Sequence, residues 1–120
     1  MPRAPFHVGL VQDSASTDRE ANLERAIAAI REAHRRGAQV ICLQELFNAP
    51  YFCKSLHVEH FTIAEPIPGP VTDRLGRIAA ELAVVLVVPM YERQASGLYR
   101  NSAAIIDACA SGAINGQVVG

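Results

Sequence analysis

Residues 37–45 read Gly37-Ala-Gln-Val-Ile-Cys-Leu-Gln-Glu45, and the fold depends on how this short stretch is interpreted. Gln39 to Leu43 carries the unbroken apolar run Val40 to Leu43 and ends abruptly in the polar pair Gln44-Glu45. It is too short for a helix and does not alternate in polarity, so it reads as a β-strand buried on both faces. Such strands belong to parallel sheets, where a crossover helix separates each strand from the next. Both flanks supply one. Upstream, Phe6 to Gln12 is a first β-rich segment, and Thr17 with Glu20 has the form of a capping box. Leu23, Ala26, Ile27, Ile30 and Ala33 then recur at helical spacing until Gly37 supplies a left-handed stop. Downstream, Pro70 opens a second helix whose apolar stripe is Val71, Leu75, Ile78, Ala79 and Leu82. Val84 to Val88 is a third buried strand. A polar turn over Glu92 to Gly97 leads into a fourth, Leu98 to Ile106, expected to run antiparallel after a hairpin-like connection. Residues 46–70 carry four prolines without sustained periodicity and read as a long loop with room for a short helix.

Strand, helix, strand, helix, strand implies an α/β fold with right-handed crossovers. If the strand order runs in one direction, both helices lie on one face of the sheet. Two helices cannot cover both faces, so the undersides of Val40 to Leu43 and Val84 to Val88 need another cover, either a partner or a further part of the chain. No repeat or internal boundary is visible across residues 1–120, and the segment after Asp107 is an Ala/Gly/Ser-rich tail.

Composition narrows the function classes. The chain has 120 residues, 50% of them hydrophobic and 19% charged, which excludes disordered and fibrous classes. Eleven basic residues against twelve acidic ones leave a net charge of −1. Without a Lys/Arg run interleaved with aromatics, no nucleic-acid partner is expected. The longest apolar stretch, Leu82 to Pro89, is far short of the roughly 20 residues that span a bilayer. No membrane association is expected, and a start of Met-Pro-Arg-Ala-Pro without an apolar signal core reads as cytoplasmic. Cys42, Cys53 and Cys109 form neither a complete disulfide framework nor a zinc pattern.

Glu45 is the first candidate for chemistry. It follows a buried strand at the carboxyl end, where open α/β sheets place their binding crevices. Partial desolvation there would make it fit to take and return a proton near neutrality. The alternative is a strand-end glutamate that caps a turn or pairs with an arginine. Cys53 could be a nucleophile, but its nearest cation, Lys54, the sole lysine, points the other way if the segment is extended. Cys42 reads as core, and Cys109 lies in the tail. His57-Val-Glu-His60 lacks the His-Glu-x-x-His spacing that aims two histidines at one zinc, and Gly112 to Gly116 has neither the lysine nor the helix of a phosphate loop. No metal and no cofactor are expected.

The stretch Gly37 to Cys53 (Gly-Ala-Gln-Val-Ile-Cys-Leu-Gln-Glu-Leu-Phe-Asn-Ala-Pro-Tyr-Phe-Cys) resembles the glutamate motif of the nitrilase superfamily of carbon–nitrogen hydrolases, in the branch acting on N-carbamoyl compounds. Val8-Gly-Leu-Val-Gln12, Pro68-Gly-Pro-Val-Thr72, Val85 to Glu92 and Asn101 to Asp107 extend the resemblance to about residues 6–107. The last two segments look nearer to hydrolases of N-carbamoyl-β-alanine than to those of N-carbamoylputrescine. The resemblance implies a four-layer αββα sandwich, of which this chain would be the N-terminal half. It also implies a small-molecule substrate, a homo-oligomer in the full-length form, and a Glu-Lys-Cys triad whose cysteine forms a thioester that water cleaves. Only the glutamate carries over, onto Glu45. Lys54 and Cys53 do not stand in the matching positions, and residues 108–120 depart from the pattern. The chain alone is therefore expected to be inactive. A non-catalytic α/β module that associates through its exposed sheet face is the alternative.

Overall fold

The computed structural model describes residues 4–45, 47–48, 64–107 and 117–119. Within them lie five strands and two helices: β1 (Val8–Leu10), α1 (Arg19–Arg35), β2 (Val40–Cys42), α2 (Pro70–Leu82), β3 (Val85–Ala95), β4 (Leu98–Ile106) and β5 (Gln117–Val119). The strands form one sheet in the order β1-β2-β3-β4-β5. β1, β2 and β3 pair in parallel, and β4 runs antiparallel to both β3 and β5, so four of the five strands point the same way.

Each parallel strand lies beside its sequence neighbour, and both crossover helices fall on the same side, as expected. The pleat then sorts the side chains. Ile41, Leu43, Leu86, Val88, Met90, Ala104 and Ile106 face the helices and are buried, with Leu23, Ala26, Ile27 and Ile30 of α1 and Val71, Leu75, Ile78 and Ala79 of α2 closing the same core. Register puts Leu10, Cys42, Val87 and Ile105 in one row across the opposite face, and Val8, Val40 and Val85 in the next. Val8 is 54% and Leu10 79% exposed, and the others are half-buried and lie outside the core cluster. Among the described residues, no element packs over this second face.

Several boundaries differ from the sequence reading. The capping box between Thr17 and Glu20 is not what starts α1. Asp18 is the N-cap, and its carboxylate accepts the Ala21 N–H at 3.0 Å. An aspartate one position nearer the helix reaches that amide directly and meets the positive end of the helix dipole. At the start of α2, Thr72 Oγ1 accepts the Gly69 N–H at 2.8 Å. Gly69 is required there, since a Cβ would sit 2.5 Å from the Pro66 carbonyl oxygen. β3 continues through Glu92 to Ala95, a segment expected to turn, and the reversal is confined to Ser96-Gly97, with Gly97 at φ +77°. Of the polar residues that suggested a turn, Glu92 continues the alternation, and the three after it are exposed. Glu92 points to the helix side, buried, where its carboxylate accepts the Ser102 hydroxyl at 2.9 Å. The tail also contributes β5, a pairing that its small and polar composition did not suggest. Most of the predicted loop, 49–63, lies outside the described residues.

Candidate active site

Glu45 stands three residues past the end of β2, where the chain leaves the carboxyl edge of the sheet. Its neighbours anchor it. Leu43 donates its N–H to the Val87 carbonyl at 3.0 Å and is buried, and Phe47 inserts into the core. Asn48, also buried, is held by a polar network rooted in α1. Asn22 Nδ2 donates to the Asn48 carbonyl at 3.1 Å and to the Ser16 carbonyl at 2.7 Å, while Asn22 Oδ1 accepts the Ser16 N–H at 2.8 Å. Asn48 Nδ2 in turn donates to Glu65 Oε2 at 3.1 Å, an oxygen that also receives Arg19 Nη2 at 2.8 Å. Three loops, those after β1, after β2 and before α2, are thereby tied to one helix.

With its backbone fixed, the Glu45 side chain reaches over the open face of the sheet. Its Oε1 accepts the amide N–H of Asn101 at 2.7 Å. Asn101 lies opposite Tyr91 in the β3–β4 pairing, on the same pleat face as Ala103 and Ile105. Tyr91 and Tyr99 stack beside it, with ring centroids 5.8 Å apart. The arrangement is thus a carboxylate oriented by a neutral amide at the edge of a partly exposed apolar surface, next to two aromatic rings. Glu45 is exposed rather than partly desolvated as expected, because among the described residues nothing covers the face that it overlooks. Among the described residues its side-chain partner is Asn101 and not an arginine.

A separate cleft of about 470 Å³ lies between β1 and α1, lined by residues that include His7, Gly9, Glu32 and Arg36. Glu45 is not among its lining residues, and it brings no candidate residue together. Cys42 sits on the open face of β2, half-buried with a free thiol, rather than in the core. The one-residue pleat decides this, since Ile41 is the β2 residue that faces the helices. Cys53, Lys54, His57, Glu59, His60, Cys109 and Gly112 to Gly116 lie outside the described residues. No group of three metal-ligating side chains occurs among the described residues. No helix there is long and apolar enough to cross a membrane.

Sequence reasoning passed over Asn101, Asn22, Asn48 and Glu65. Asn22 did leave a trace, since it falls one residue before Leu23 and four before Ala26, on the buried stripe of α1, where an amide must be hydrogen-bonded. Asn101 stood inside a quoted motif without a role, because its partner lies on another element.

Comparison with known proteins follows the same geometry. Residues 7–115 match the family described as Carbon-nitrogen hydrolase. Over 102 residues the chain is 40% identical to an N-carbamoylputrescine amidase of Solanum lycopersicum, covering 84% of this chain and 34% of that protein. It is 37% identical to an omega-amidase of Xenopus tropicalis, covering 85% of this chain and 36% of the other. A crystal structure of a carbon-nitrogen hydrolase from Helicobacter pylori superposes with a TM-score of 0.84 at 26% identity, over 95% of this chain and 38% of that one. The chain therefore spans about a third of the length of the curated relatives it matches.

Proposed function

The chain belongs to the carbon–nitrogen hydrolase family, and from that premise we propose that it carries the general base of an amidohydrolase acting on N-carbamoyl amines or amino acids. The observation that supports this reading is the placement of Glu45, a carboxylate at the carboxyl end of a parallel strand, oriented by Asn101 and open to a small molecule on the uncovered face.

In this reading Glu45 takes the proton of a cysteine thiol, and the thiolate attacks the carbonyl carbon of the substrate. As the tetrahedral adduct collapses, the C–N bond breaks and the departing nitrogen takes the proton back from Glu45, leaving a thioester. Glu45 then removes a proton from water, which cleaves the thioester and restores the thiol. The cysteine and the lysine of such a triad have no match among the residues of this chain, so the chain supplies the base and one wall of the pocket. By itself it performs no turnover. The family resemblance and the amidase relatives support the reaction class, and the N-carbamoyl substrate is the finer part of the proposal.

The test is an enzyme joining residues 1–107 of this chain to the C-terminal remainder of the tomato relative. Release of ammonia from N-carbamoylputrescine and N-carbamoyl-β-alanine is measured against a plain ω-amide. Preference for the N-carbamoyl compounds is the expected result. Hydrolysis of the plain amide alone would shift the assignment to an ω-amidase.

A further inference from the structure

We propose that Asn101 is the positioning residue of the Glu45 carboxylate, an inference that rests on the reading of Glu45 as the base. The hydrogen bond between them is 2.7 Å long, with the amide of Asn101 donating to Oε1.

The two partners are held very differently. Glu45 sits on a turn, whereas Asn101 lies within β4, paired to β3 in an unbroken register from Leu86 opposite Ile106 to Arg93 opposite Tyr99. The adjacent Ser102 is buried and donates its hydroxyl to the buried Glu92, which fixes the strand from its other face. The amide is therefore the rigid member of the pair and the carboxylate is the one being aimed.

The chemistry of the donor suits a base. A guanidinium or ammonium in the same place would put a full positive charge against the carboxylate and hold it in the ionised form. A neutral amide gives direction with one N–H, and among the described residues Oε2 has no hydrogen-bond partner and can take the proton. Orientation of this kind acts on the chemical step more than on substrate binding, because proton transfer requires the acceptor oxygen within hydrogen-bond reach of the donor.

Two measurements test the proposal. In the isotope-labelled 120-residue chain, Glu45→Ala should shift the Asn101 side-chain amide signals while leaving those of Asn22 in place. Asn101 signals that stay still, or that move no more than those of Asn22, would overturn the pairing in solution. In the joined enzyme, Asn101→Ala and the isosteric Asn101→Asp should lower kcat by about tenfold to a hundredfold, the effect of losing one hydrogen bond to a charged group, with KM nearly unchanged. Asn101→Ala added to Glu45→Gln should cost nothing further. Full kcat in Asn101→Ala, or an additive loss in the double variant, would refute the positioning role. Full activity in Glu45→Gln would refute the role of Glu45 itself, which keeps the two failures apart.

Discussion

Glu45 and Asn101 lie 56 positions apart, and the pairing of β2 with β3 and of β3 with β4 brings them within 2.7 Å. That separation explains what a single sequence could and could not reveal at the scale of residues. The place of Glu45 was legible because it depends on a local pattern, a buried run ending abruptly in polar residues. Its partner and its exposure were not, because both depend on distant elements. Asp13, just after β1, shows the same mixture of local and distant contacts. The Ser14 N–H donates to its Oδ1 at 2.8 Å and Arg25 Nε to its Oδ2 at 3.0 Å, and these bonds, the backbone one first, hold its carboxyl below the ordinary carboxylate range. A carboxyl group depressed in the folded state adds stability above its unfolded value, near pH 4, and that contribution is lost as pH falls through the lower folded value. Asp13→Asn should therefore be less stable than the wild type at pH 7 and nearly equal to it at pH 2. Urea midpoints at the two pH values check this, and a gap that does not narrow would contradict it.

At the scale of elements, the strands and helices followed from periodicity, while their ends followed from side-chain contacts that periodicity does not encode. The start of α1 moved because Asp18 reaches the first-turn amide. β3 outran its apolar run because Glu92 finds Ser102 across the sheet. Asn22 shows how one element organises the site. It links α1 to the segments around Ser16 and Asn48 and, like Asn48, is buried. Asn22→Ala would leave the carbonyl of buried Asn48 without this partner, at a cost of about 1–3 kcal/mol, and would also remove the two part-buried bonds to the Ser16 backbone. An unfolding free energy lower by about 3 kcal/mol is expected, read from denaturant melts. A change under about 0.5 kcal/mol would mean that the network does not hold the loops.

At the scale of the molecule, both helices cover one face of the sheet, and the row Leu10, Cys42, Val87 and Ile105 lies on the other. That two crossover helices would lie on one face was legible from element order, because sequence-adjacent parallel strands with right-handed crossovers put their helices on the same side. An apolar face of this kind favours self-association, and β1 adds an open sheet edge to it. The 120-residue chain should therefore elute as dimers or larger species at tens of micromolar and bind an apolar dye. A monodisperse monomer without dye binding would show that the face is shielded in solution.

If Glu45 is the proton-transferring base, Glu45→Gln must show it in kcat, KM and melting temperature of the joined enzyme. The substitution keeps the shape of the side chain and removes its ability to take a proton. A loss in kcat of about a thousandfold is expected, within the range of general acid–base contributions, with a melting temperature changed by no more than about two degrees. Normal turnover by Glu45→Gln, or a loss of activity matched by an equal loss of stability, would contradict it.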